Sequence, residues 1–139
     1  MDVAWRKGLA PEELTVEWTQ AVQKLFLEGT GEQYFAGSIQ SLPVPRWDGN
    51  LMLFDSIEET PQSMRGLLWT TPFKEDTVRI VSFVLDPGSR NKGWGSQAWD
   101  ILIESLAETQ YTTIQLEVRA TNNKAINFYR KRGLEVIQE

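Results

Sequence analysis

Val78 to Leu85 (VRIVSFVL) is an almost unbroken apolar, β-branched run that gives way to Asp86-Pro87-Gly88 and then to Gly93-Trp94-Gly95. Such a run reads as a strand covered on both faces, which predicts a central place in a sheet. Helical spacing follows the glycines, with Ala98, Leu102 and Leu106 on one face and Trp99 and Ile103 widening it. Thr113 to Val118 (TIQLEV) then reads as a second strand. A strand–helix–strand crossover of this kind joins parallel strands. The pattern restricts the chain to an α/β architecture.

The first half supplies the rest of the sheet. Val3 and Trp5 alternate with polar neighbours as a weak strand. Pro11, with Glu12 and Glu13 behind it, reads as a helix start, Leu14, Trp18, Val22 and Leu25 as the apolar stripe, and Gly29 as the stop. Phe35, Ile39 and Leu42 share one face of a short helix within residues 30–42, and Pro43, Pro45 and Asp48-Gly49 mark a loop. Leu51 to Phe54, Gly66 to Thr70 and Val78 to Leu85 form three consecutive strands, with a turn at Pro72 to Asp76. They predict an antiparallel meander. Asn122 to Arg132 reads as a last helix closed by Gly133, and Leu134 to Ile137 as the start of a last strand. No repeat or linker divides the 139 residues, so a single domain over residues 1–139 is expected.

The chain has no Cys and no His. This removes disulfides, thiolate nucleophiles, nearly all zinc chemistry and the usual general base, so no metal is expected. Proton transfer falls to Asp, Glu, Lys, Tyr or water. The formal charge of -5 disfavours nonspecific nucleic-acid binding, which needs a basic surface. No apolar run approaches the ~18 residues of a membrane span. The N-terminus lacks the apolar core of a signal peptide, which makes the cytoplasm the default location.

The glycine loop carries the chemistry. Gly93 and Gly95 allow backbone N–H groups to turn inward, and the helix behind them adds its unpaired N–H groups and positive end. Arg90 and Lys92 can supply countercharge, and Ser96 a hydroxyl. A nucleoside-triphosphate loop is not supported, because Gly-x-x-x-x-Gly-Lys-Ser/Thr is absent. Gly95 is followed by Ser96, Gln97 and Ala98, so the third glycine of a dinucleotide loop is missing.

This segment resembles the GNAT acetyltransferases, whose Arg/Gln-x-x-Gly-x-Gly/Ala loop follows a central strand. Here the loop reads Arg90-Asn91-Lys92-Gly93-Trp94-Gly95, after Phe83, Leu85 and Pro87 at the strand end. The resemblance implies acetyl-CoA as co-substrate. Its pyrophosphate would lie on residues Arg90 to Ser96, and its pantetheine arm along the backbone of Phe83, Val84 and Leu85. A second stretch, LEVRATNNKAINFYRKRG, is similar to the family's later motif, Asn-x-x-Ala-x-x-Phe/Leu-Tyr-x-x-x-Gly, through Asn122, Ala125, Phe128, Tyr129 and Gly133. Its wording is closest to ribosomal-protein alanine N-acetyltransferases. That likeness implies Glu117 as base, directly or through water, Tyr129 as acid, and cofactor contacts at Asn122, Ala125 and Phe128. The basic residues Lys124, Arg130, Lys131 and Arg132 read as a solvated face, with a contact to the 3′-phosphate of CoA as the alternative that the resemblance allows.

The implied fold is a mixed central sheet, an antiparallel meander followed by a parallel crossover, flanked by helices. Few residues follow Gly133, so the family's last strand is expected to be missing or shortened. An open sheet edge there would invite pairing of two copies as a homodimer. The implied function is direct transfer of acetyl to a primary amine, on a protein N-terminus or a small molecule. The alternatives are a non-catalytic acyl-CoA-binding module and an α/β domain without cofactor. Trp47, Trp69, Tyr34 and Glu32 are acceptor contacts to consider, although aromatics there serve more often in a core.

Overall fold

The computed structural model describes residues 3–9, 13–40 and 49–137. Pro11, Glu12, Leu42, Pro43, Pro45, Trp47 and Asp48 lie outside the described residues. The elements run β1 (Ala4–Lys7), α1 (Val16–Thr30), α2 (Ala36–Gln40), β2 (Leu51–Phe54), β3 (Met64–Lys74), β4 (Thr77–Leu85), α3 (Trp94–Leu106), β5 (Thr113–Gln115) and α4 (Asn123–Arg130). The sheet order is β1-β2-β3-β4-β5. The first four strands pair antiparallel in sequence, and β5 joins β4 in parallel. The meander and the crossover are thus as read from sequence. Among the described residues, no helix is long and apolar enough to cross a membrane.

The period of two along the strands makes two cores. Met52, Phe54, Leu67 and Trp69 face α1 and α2, packing with Val22, Leu25, Phe26 and Ile39. Leu53, Leu68 and Ile80 face the other way, against Ala98, Trp99 and Leu102 of α3. Phe128, Tyr129 and Leu134 pack on this second core from the α4 end. Trp69 is 1% exposed and belongs to the core rather than to an open acceptor surface.

Several boundaries differ from the sequence reading. Helix α1 begins behind Thr15, whose side chain accepts the Trp18 N–H at 3.3 Å. It runs through Gly29 and ends at Gly31, which takes φ 77° and returns its N–H to Leu27. The second glycine of the pair is the stop. Phe35 is 77% exposed, so Ile39 alone of the described residues on that face is buried. Strand β3 continues through Pro72 to Lys74, with an irregular register there, and the turn shrinks to Glu75 and Asp76. Helix α3 starts at Trp94, capped by Gly93, instead of after Gly95.

Strand β4 is not central along its whole length. Strand β5 pairs only Thr77–Arg79 with Thr113–Gln115, shorter than the expected Thr113 to Val118. Trp69 pairs with Ser82 and Thr70 with Ile80, which leaves Val81 as an extra residue in β4. A bulge of this kind bends its strand. It falls where a longer β5 would have to continue, and the two strands part. No strand forms at Leu134 to Ile137, where Leu134 packs on the core and Ile137 is 84% exposed.

Candidate functional site

The parting of β4 and β5 opens a cleft of about 490 Å³. From Ile80 onward no strand pairs with the outer edge of β4 among the described residues. Phe83, Val84 and Leu85 line the cleft there. Unpaired backbone groups at such an edge call for a ligand or water that can hydrogen-bond to an extended chain. Gly29 and Thr30, at the end of α1, form a second wall, and Asn122, Ala125, Phe128 and Tyr129 a third.

Arg90, Asn91, Gly93, Gly95 and Ser96 close one end. Two residues of this loop adopt the left-handed conformation, Asn91 at φ 61° and Gly93 at φ 84°. Asn tolerates that region better than most side chains, and Gly occupies it without penalty. Gly93 caps α3 with no side-chain bond, so the first N–H groups of the helix have no side-chain acceptor at the cap. The loop therefore has the donors that an anion needs.

Its charges are placed otherwise than expected. The Arg90 guanidinium donates to the carbonyl of Gly29, and at 3.5 Å to that of Leu85. It bolts the loop to α1 and β4 instead of standing free for a phosphate. Lys92 is exposed and does not line the cleft. The Trp94 ring packs on the second core, and the Trp94 carbonyl accepts the Trp5 indole N–H at 2.7 Å. Ser96 Oγ accepts from Arg132, a residue first read as part of a solvated face.

On α4, Asn122 caps the helix through its Oδ1, which accepts the Ala125 N–H at 3.1 Å, while also lining the cleft. Phe83, Phe128, Tyr129 and Trp99 make edge-to-face contacts in succession, with centroids 5.8, 5.2 and 6.0 Å apart. This packing fixes the Tyr129 ring at the cleft wall. Burial pushes the Tyr129 phenol up to about 12, against a smaller opposing effect of Arg132. At neutral pH the group is a donor.

Glu117 lies elsewhere. Its side chain is 77% exposed and pairs with Arg79 at 3.1 Å, and it is not among the residues that line the cleft. Tyr34 stacks on Phe26 at 4.5 Å and donates to Glu32 at 2.9 Å. Glu32 also accepts from Arg119 at 2.5 Å, tying the loop after α1 to the segment after β5.

Gly29 and Thr30 line the cleft, although the sequence gives no sign of it at Thr30, and Lys124 of the basic run lines it as well. A Cβ on Gly29 would stand 2.6 Å from Val84 and 3.1 Å from the Leu85 carbonyl. A glycine inside an otherwise helical pattern is the signal that could have exposed this approach.

Residues 19–134 match the sequence model of the Acetyltransferase (GNAT) family. The chain belongs to the GNAT acetyltransferase family. Among curated relatives, mycothiol acetyltransferase of Mycolicibacterium smegmatis is 32% identical over 87 residues, covering 60% of this chain and 30% of that protein. The matched part thus spans less than a third of that relative. Among solved structures, Ard1 from Thermoplasma volcanium superposes with a TM-score of 0.81 at 22% identity, covering 99% of this chain and 86% of the other. The ribosomal-protein-S18-alanine N-acetyltransferase from Escherichia coli does so with 0.72 at 20% identity, covering 94% and 76%. With the family match, these two likenesses show that the mixed sheet has the GNAT fold.

Proposed function

We propose that this GNAT chain moves the acetyl group of acetyl-CoA to a primary amine, on a protein N-terminus or a small molecule. The observation that carries the reading is the cleft itself. It joins a bare strand edge, suited to an extended amide chain, to a helix start whose glycine cap offers no side-chain acceptor, suited to phosphate. Pantetheine has the amides and the pyrophosphate has the charge. Phe83, Val84 and Leu85 would hold the arm through their backbone, Asn91, Gly93, Gly95 and Ser96 the pyrophosphate, and Asn122, Ala125 and Phe128 the opposite side. Arg90 serves by shaping the loop. Lys92 and Trp94 have weaker claims, since neither lines the cleft.

The reaction forms an N–C bond and breaks the C–S bond of the thioester. The amine must first lose a proton, because an alkyl ammonium has no lone pair. Glu117 is the proposed acceptor of that proton, acting through water because its carboxylate stands outside the cleft. The departing sulfur needs a donor. Tyr129 at about 12 is a far weaker acid than a thiol near ~8.5, so full transfer to the thiolate would be uphill by about 5 kcal/mol. The phenol therefore stabilises the leaving sulfur by a hydrogen bond; the nitrogen sheds its second proton once the N–C bond has formed, and that proton converts the departing thiolate to the thiol. A backbone N–H of β4 near Leu85 would face the developing oxyanion.

The position of Glu117 favours one second reading, an acyl-CoA-binding module without turnover. Two measurements decide. Acetyl-CoA should raise the melting temperature, because a ligand specific to the native state must stabilise it. CoA release with a panel of amines should then show turnover. No melting shift at saturation sinks both readings; a shift without turnover on any amine leaves the module.

A further inference from the structure

Arg132 stands behind the phosphate end of the cleft, outside its lining, and is anchored there on three sides by the lining residues Phe128 and Ser96. Its guanidinium lies 3.7 Å from the centroid of the Phe128 ring. One nitrogen donates to the Phe128 carbonyl at 3.0 Å, and the other to Ser96 Oγ. The first of these contacts lies in the closing turn of α4, where a cation is favoured. The second lies in the opening turn of α3, where the helix is positive and a cation is disfavoured. No carboxylate forms an ion pair with Arg132 among the described residues. Two positive groups thus face one another without an anion between them, and both Phe128 and Ser96 line the cleft.

Of the other cations near the cleft, Lys124 lines the α4 wall beside Asn122 and Ala125 and has no bond to the glycine loop among the described residues. Arg90 is bonded to two backbone carbonyls, and Lys92 lies outside the lining. We propose that Arg132 is the cation that receives the pyrophosphate of the cofactor, an assignment that rests on the acetyl-CoA reading above. The guanidinium keeps its stack on Phe128 and turns its Ser96-directed nitrogen to a phosphate oxygen. Ser96, released, donates its own hydroxyl to the same group. The planar fork suits phosphate and ring together, which a lysine ammonium does not.

The test is calorimetric titration of wild type, Arg132→Gln and Arg132→Lys with CoA, 3′-dephospho-CoA and pantetheine. A charge-assisted hydrogen bond predicts that Arg132→Gln weakens CoA and 3′-dephospho-CoA alike, by about 10- to 100-fold. Pantetheine, which has no pyrophosphate, should bind wild type and variant equally. Arg132→Lys should fall between them. A loss for CoA alone would assign Arg132 to the 3′-phosphate and overturn the proposal. So would an equal loss for pantetheine, which would mark a merely structural contact, or no loss at all. Failure of the wild-type chain to bind CoA overturns the cofactor reading itself, and is distinct from all of these. If Arg132→Gln does not fold, the Arg132→Lys titrations decide by the same pattern.

Discussion

Gly29→Ala separates local preference from tertiary fit. In the last turn of a helix, Ala is preferred over Gly by about 1 kcal/mol. At this position the new Cβ would lie 2.6 Å from Val84 Cγ1 and 3.1 Å from the Leu85 carbonyl oxygen. Ordinary carbon contacts begin near ~3.5 Å, so α1 must retreat by about 1 Å. Val84 cannot yield easily, being 6% exposed and β-branched, and the carbonyl belongs to the β4 backbone. Overpacking costs about 1–3 kcal/mol, which leaves a net loss of about 0–2 kcal/mol after the helix gain. For a domain of this size, about 1 kcal/mol moves the melting point by roughly 3–5 °C. The retreat also pulls the Gly29 carbonyl from Arg90 and widens the cleft. Melting with and without acetyl-CoA should therefore show a fall of up to about 10 °C and a weaker ligand-induced shift. Gly31→Ala is the control, since its φ of 77° strains any Cβ but nothing lies within 4 Å. It should cost about 1 kcal/mol and leave cofactor affinity unchanged. A Gly29→Ala variant that melts higher than wild type, with the same acetyl-CoA affinity, would refute the close-approach argument.

Further perturbations probe the chemistry. Tyr129→Phe removes the donor to the leaving sulfur and should lower kcat about 10- to 100-fold with acetyl-CoA affinity retained; equal turnover would remove Tyr129 from the mechanism. The same residue should give a pH signature. Its folded value of about 12 exceeds the usual 10.0, so its stabilising contribution is full below pH 10 and is lost as pH rises towards 12. Alkaline denaturation of wild type minus Tyr129→Phe should expose a loss of about 2–3 kcal/mol over that window, and a flat difference would contradict it. Gly93→Trp places a side chain at φ 84°, where a Cβ meets nothing within 4 Å. It should leave the fold largely intact, strained by about 1–2 kcal/mol, and abolish the acetyl-CoA melting shift; unaltered binding would mean the loop does not hold the phosphates. Glu117→Gln should lower turnover most at low pH, where more of the amine must be deprotonated; a kcat equal to that of wild type across pH 6–9 would show that another group or bulk water takes the proton.

What the sequence disclosed and what it hid divide by the range of the contacts involved. The strand–loop–helix unit from Val78 to Leu106 was legible because composition, glycine placement and helical spacing all act locally, and so was the parallel crossover to β5. Tyr129 was singled out by a local motif, and the structure sets it on the cleft wall. The extent of β5 was not legible, because it is limited by the bulge at Val81, which exists only in the pairing of β4 with β3. The helix stop was misplaced for a related reason. Gly29 and Gly31 are equivalent to a local reading, and only the approach of Val84 and Leu85 explains why the first one lies inside the helix. The cations follow the same rule. Arg90 stands in the glycine loop by sequence, yet its bonds run to Gly29 and Leu85. Arg132 lies 36 positions from Ser96 and reaches it across two helices. A basic run on a helix gives no local sign of which member meets the start of another helix. On the proposal above, the phosphate end takes its guanidinium from the turn that follows α4, and the glycine loop contributes backbone donors and shape.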